Sequence, residues 1–170
     1  AGSAKEGTLD EEQLVTFTLV GEEYGMDIHS VREIIRVPEV VKVPQAPHFM
    51  KGLISLRNHL LPLIDLRVLF EQDTIEKNDE QRVVITESQG VIIGLIVDKV
   101  NEVLRLPKKL IDPPPSVMSG GSNNQVKGVA KLNEGKRLIM ILDNAQLVDI
   151  QSIHEVLQSQ SHAAQAVEVA

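Results

Sequence analysis

Tyr24-Gly25-Met26-Asp27-Ile28-His29-Ser30-Val31-Arg32-Glu33-Ile34-Ile35-Arg36-Val37-Pro38 recurs 69 positions later as Ile93-Gly94-Leu95-Ile96-Val97-Asp98-Lys99-Val100-Asn101-Glu102-Val103-Leu104-Arg105-Leu106-Pro107. Gly25/Gly94, Val31/Val100, Glu33/Glu102, Arg36/Arg105 and Pro38/Pro107 are identical, and most other pairs are apolar in both copies. A second match follows it. Gly52-Leu53-Ile54-Ser55-Leu56 resembles Gly128-Val129-Ala130-Lys131-Leu132, and Leu60-Leu61-Pro62-Leu63-Ile64-Asp65 resembles Leu138-Ile139-Met140-Ile141-Leu142-Asp143. The offset grows from 76 to 78 between these two, so the second hairpin carries a longer turn. Self-similarity over such a span predicts two similar lobes.

Working outward, the periodicity is that of strands. Val15, Phe17 and Leu19 alternate with Thr16 and Thr18; Gly21-Glu22-Glu23 turns the chain; Tyr24, Met26 and Ile28 then alternate with Gly25 and Asp27. Residues 82–87, the turn Ser88-Gln89-Gly90 and residues 91–97 repeat that hairpin. Val31, Ile34 and Ile35 have helical spacing and Ser30-x-x-Glu33 has capping-box form, which predicts one helical turn there. A second short turn is expected to end at Gly52 as a left-handed C-cap. Residues 53–56 and 60–64 form a hairpin around Arg57-Asn58-His59, with Pro62 placing the return strand at an edge or bulge. About five short strands per lobe suggests a small barrel. Asp73 to Glu80 reads as the inter-lobe loop, and Asp112-Pro113-Pro114-Pro115 and Gly120-Gly121-Ser122-Asn123-Asn124 bracket a long loop. Leu147, Val148, Ile150, Ile153, Val156 and Leu157 predict a short C-terminal helix. The expected organisation is a disordered tail over 1–12, a first lobe over 13–80, a second lobe with the helix over 81–157, and a disordered tail over 158–170. Strand exchange between the lobes stays open.

Composition narrows the function. Aromatics are 2% of the chain and the formal net charge is -7, a poor match to nucleic acid, which asks for cations and stacking faces. Cysteine is absent, which suits a reducing compartment and removes thiolate metal sites. No apolar run approaches the roughly 20 residues of a membrane span, and no signal peptide opens the chain. Cytoplasmic localisation without membrane insertion is expected. The five histidines are scattered without metal-ligand spacing, and no phosphate-cradling glycine loop or nucleophile elbow is present. Asp65 and Asp143 end equivalent strands as a carboxylate dyad would, but bulky Leu66-Arg67 follows the first, and capping of the next helical turn explains both. No catalytic residue, metal site or cofactor is expected.

The surface remains. Ile28, Val31, Ile34, Ile35, Val37, Val40 and Val41, with Val97, Val100, Val103 and Leu104, are too many apolar residues for one buried face. They form either a core shared between the lobes or a hydrophobic groove open to a partner helix. Arg57 at its hairpin tip is either a solvated charge or a contact.

Tyr24-Gly25-Met26-Asp27-Ile28, Val31-Arg32-Glu33-Ile34-Ile35, Val43-Pro44, Pro47-His48-Phe49-Met50-Lys51-Gly52-Leu53-Ile54-Ser55-Leu56-Arg57 and Leu61-Pro62-Leu63-Ile64-Asp65-Leu66-Arg67, in that order, resemble the CheW family of bacterial chemotaxis coupling proteins. Residues 94–103 and 126–143 continue the likeness; Asn58 and Ser55 depart from it, where the family usually has Gly and often Asn. The resemblance implies a mainly β fold of two SH3-like five-stranded barrels. It implies an adaptor between chemoreceptors and the regulatory domain of the histidine kinase CheA, with copies able to join in rings and receptor arrays recruiting it to the inner face of the membrane. The receptor's cytoplasmic tip would lie in the inter-lobe groove against Ile28, Val31, Ile34 and Val103, with Val15 close by and Arg57 as a polar contact. The kinase-facing residues are not placed. Alternatives are a CheW-like domain cut from a larger CheA or CheV protein, and a small-molecule sensor using the cleft.

Overall fold

The computed structural model describes residues 10–72, 78–114, 125–149 and 151–158. Most of both expected tails, and most of the two expected long loops, lie outside the described residues. The first tail ends earlier than expected, because Glu11 and Glu12 are already strand residues paired with Pro107 and Leu106. Gln158 is helical, closing a C-terminal helix over 151–158.

Eleven strands are described: β1 (Glu11–Leu19), β2 (Glu22–Asp27), β3 (Val31–Arg36), β4 (Met50–Leu56), β5 (His59–Asp65), β6 (Arg82–Ser88), β7 (Val91–Val97), β8 (Lys99–Pro107), β9 (Ile111–Asp112), β10 (Val126–Leu132) and β11 (Arg137–Leu142). They form two sheets, ordered β8-β1-β2-β11-β10-β9 and β3-β6-β7-β5-β4. Neither sheet is one half of the chain. Each copy of the repeat gives its first hairpin to the other copy's sheet, so a boundary between residues 80 and 81 does not separate the lobes. The reason is connection length. Only Asp98 lies between β7 and β8, and a chain cannot fold back beside itself with fewer than about two turn residues. After β2 a single 3-10 turn, Ile28–Ser30, likewise hands the chain to the other sheet.

The exchange is symmetric. β1 pairs with β8 as β6 pairs with β3, all antiparallel. β11 meets β2 in parallel at Ile141 and Gly25, and β5 meets β7 in parallel at the equivalent Leu63 and Gly94. Equivalent bulges leave Arg32 and Asn101 without a direct partner. Each sheet is closed by the chain that leaves its edge strand: Val41 bridges Leu53 on β4, and β9 pairs with β10. Both lobes are thus SH3-like, one of five strands and the other of the equivalent five plus the short β9, its version of the closing bridge.

Three clusters make the core. Leu63, Val83 and Ile85 fill one lobe, and Leu14, Ile139 and Ile141 fill the other. A larger cluster draws Phe17, Tyr24 and Met26 from one sheet and Val84, Ile93 and Leu95 from the other, with Ile153 of the C-terminal helix. Phe17, Tyr24 and Phe70 stack in succession.

Three local expectations are corrected. Val31–Arg36 is a strand with alternating exposure, not a helical turn, because pairing with β6 outweighs spacing that also fits a helix. The turn lies one step earlier, capped by Asp27, which accepts from the His29 N–H at 2.9 Å. Gly52 lies inside β4 at a bulge and caps nothing. Pro62 lies on an interior strand, tolerated because the ladder from β5 to β7 begins only at Leu63.

Gly52 is required by space: a Cβ there would lie 2.3 Å from the Val41 carbonyl oxygen, which accepts from Leu53 N–H. At Gly94 a Cβ would meet the Val83 Cγ1 at 2.7 Å, on a fully buried β-branched side chain that must shift to admit it. Gly52→Ala is expected to cost about 3 kcal/mol and Gly94→Ala about 2 kcal/mol in urea unfolding, since only Gly52 faces fixed backbone. Equal losses would show that the Val41 carbonyl is not a fixed obstacle.

Candidate functional site

β3 and β8 are the edge strands that leave the exchanged hairpins, and their outward residues are copies of one another. On β3 Ile34 is 39% exposed between Arg32 and Arg36; on β8 Val103 is 57% exposed between Asn101 and Arg105. Directly opposed residues of an antiparallel pair share a face. Ile34 therefore continues outward from buried Val84, and Val103 from buried Val15. Val31 is half-buried against the shared core, as is its copy Val100. Ile28 is half-buried in the 3-10 turn.

The apolar residues singled out in the sequence are thereby sorted. Ile35 and Val37 pack into one lobe, Leu104 into the other, and Val97 into the shared core. Ile28, Val31 and Ile34 follow one another along one segment, while Val15 and Val103 face each other across β1 and β8. Val41, at 60% exposed, stands apart on the closing bridge.

Arg57 and Asn58 form the two-residue turn between β4 and β5, with φ values of 50° and 66°. Both angles are those of the hairpin turn whose twist matches its flanking strands. The Arg57 side chain reaches β3 and forks onto Glu33, its Nη1 donating to Oε1 and its Nη2 to Oε2 at 3.0 Å. The Arg57 hydrogen bond holds the Glu33 carboxyl below its ordinary pKa against a smaller opposing effect of desolvation. Glu33 was missed as a site residue by reading it as a helix cap. The signal was present, because Glu33 and Glu102 are identical in the repeat. Glu102 accepts from Arg137 Nη2 at 3.0 Å, again an arginine of the hairpin that follows in its own copy. Arg137 also forks onto Glu23 at 2.8 and 2.7 Å, and these bonds keep the Glu23 carboxyl ionised below its usual range. Each edge strand therefore presents an apolar residue beside a glutamate gripped by arginine.

The two strand-end aspartates are engaged locally. Asp143 accepts from the Ala145 N–H at 3.1 Å, and Asp65 accepts from the Arg67 N–H and from its guanidinium, all at 3.0 Å. Among the described residues no group of three or more histidines and carboxylates is placed to hold a metal. A cleft of about 200 Å³ at the start of β1 is lined by Glu11, Glu12, Asp27, His29, Arg105 and Lys108. Those charged walls differ from the apolar enclosure of a small-molecule site.

The chain is similar to known proteins in sequence and in fold. The chemotaxis protein CheW of Klebsiella aerogenes is 33% identical over 83% of this chain and 83% of its own length. The chemotaxis protein CheW of Helicobacter pylori is 32% identical over 84% of each. The crystal structure of the scaffolding protein TtCheW from Thermoanaerobacter tengcongensis superposes with a TM-score of 0.74 at 35% identity, covering 81% of this chain and 88% of that one. The model of the CheW-like domain family spans residues 13–152, and the chain belongs to that family.

Proposed function

We propose that this protein is a chemotaxis scaffold that couples the cytoplasmic tips of chemoreceptors to the regulatory domain of the histidine kinase CheA. One observation carries the reading: Ile34 and Val103 are exposed at equivalent positions of two edge strands, each beside a glutamate–arginine fork. A receptor tip is a helical hairpin, and a helix docking on such a surface takes affinity from apolar anchors and register from the charges around them. Ile28, Val31, Ile34 and Val103 serve as the apolar contacts, Val15 supports Val103 from the buried side, and Arg57, steadied by Glu33, is the polar one. The protein acts by holding partners together and performs no reaction. Copies join through their lobes within receptor arrays. Among the described residues no helix is long and apolar enough to cross a membrane. Recruitment to the inner face of the membrane then comes through the receptors.

Calorimetric titration against a purified receptor hairpin tests the apolar contacts. Ile34→Glu and Val103→Glu are each expected to weaken binding by about 2 kcal/mol while leaving the melting temperature close to that of the parent. Parent and variants binding equally would sink the assignment of this surface, and no complex with any receptor tip or CheA regulatory domain would sink the coupling itself.

Arg57→Ala and Glu33→Ala form a cycle that tests the fork. Each is expected to weaken receptor binding several-fold, and the double variant no more than the worse single one, because the two side chains act as one unit. Additive losses would show separate contacts. Binding to the CheA domain is expected to survive Arg57→Ala.

A further inference from the structure

The Arg67 side chain is only 2% exposed. Its Nε and Nη2 donate to the two oxygens of Asp65 at 3.0 Å, and its Nη1 donates to Asp98 Oδ1 at 3.1 Å. The second oxygen of Asp98 accepts from the Val20 N–H at 2.6 Å, and the Asp98 N–H donates to the Thr18 carbonyl at 3.0 Å. One buried guanidinium thus ties the end of β5 to the β7–β8 crossover and, through it, to the β1–β2 turn of the other sheet.

The other copy of the repeat is built without such a cluster. In it Ala145 takes the place of Arg67, and exposed His29 takes the place of Asp98. The crossover there is held without a buried guanidinium: Asp27 accepts from the His29 N–H at 2.9 Å, Thr86 Oγ1 donates to the Ser30 carbonyl at 2.5 Å, and nearby Ser88 Oγ donates to the Asn144 carbonyl at 2.8 Å. Burying charges carries a desolvation penalty that mutual attraction offsets only in good geometry, so stability alone is a weak reason for such a cluster.

Position supplies a stronger reason. β8 is an edge strand, held on one side only, and its ladder with β1 slips by a residue at Asn101. A further slip of one residue would turn Val103 from the outer face to the inner one. Asp98 stands immediately before β8, on the crossover that joins that strand to the other sheet.

We infer that Arg67 is a positioning residue: by clamping Asp98 it fixes the register of β8 and so keeps Val103 presented to the partner. The partner half of this inference rests on the receptor-coupling reading, whereas the register half does not.

Hydrogen exchange on the free full-length chain reads the register half. In Arg67→Met the amides of residues 99–104 are expected to lose protection about tenfold more than those of residues 31–36, since local opening is set by local contacts. Arg67→Lys, which keeps the charge without the fork, is expected to recover part of that protection. Affinity for a receptor hairpin is expected to fall about tenfold in Arg67→Met while Ile34 stays available. Should Arg67→Met fail to fold, Asp98→Asn, which keeps an oxygen for the Val20 N–H, carries the same expectation. Protection lost equally from β3 and β8, or from neither, overturns the register pin. Selective loss from β8 in a chain whose parent form binds no receptor tip upholds the pin and removes the coupling reading. Selective loss with undiminished receptor binding overturns the link from Arg67 to Val103.

Discussion

Everything in this structure depends on two short crossovers between the sheets. Asp98 alone separates β7 from β8, and Ile28–Ser30 alone separates β2 from β3. Each crossover forces the chain out of one sheet and into the other, so neither lobe can be completed from its own half of the sequence. The cluster of Phe17, Met26, Val84 and Leu95 lies where the exchanged hairpins meet. Burial of that seam is therefore not an interface added to two finished lobes. It is the condition for either lobe to exist, and it makes cooperative folding of the chain as one unit the natural expectation.

The same crossovers decide what is left on the surface. The strands that leave them, β3 and β8, become sheet edges, which carry unpaired backbone groups and invite unwanted pairing. Both carry the usual protections, a bulge at Arg32 or Asn101 and arginine on the outer face at Arg36 or Arg105. Against that charged background a single outward Ile34 or Val103 stands out as an anchor. The surface proposed for docking lies beside the seam because the residues that follow each crossover are held from both sheets.

Much of this was legible in the sequence. The duplication and the period-two alternation gave the two lobes, and Asp65 and Asp143 were readable as caps because each stands where a helical turn begins. The failures share a cause. Val31, Ile34 and Ile35 satisfy a helical period and a strand in so short a run, and only the partner strand β6 decides between them. Gly52 looked like a cap because its neighbour in space, the Val41 carbonyl, lies eleven positions away in the chain. The exchange of hairpins could not be assigned for the same reason, since sequence shows which segments are alike and not which are adjacent. The grip of Arg57 on Glu33 and of Arg67 on Asp98 is likewise tertiary, although the repeated glutamate was a trace of the first.

The two copies have diverged unevenly. Apolar positions are kept: Val31 with Val100, Ile34 with Val103, Leu60 with Leu138. Some charged positions are kept, as Glu33/Glu102 and Asp65/Asp143 are, but others have drifted: Arg67 faces Ala145 across the pseudo-symmetry, Asp98 faces His29, and the arginine that grips the edge-strand glutamate sits at the turn in one copy and on the return strand at Arg137 in the other. Apolar residues set the shape of each lobe, while charges set which partner a shape accepts. Under the coupling proposed above, that asymmetry of charge, more than the duplication itself, is what would let one small domain distinguish unlike partners, which a symmetric dimer could not.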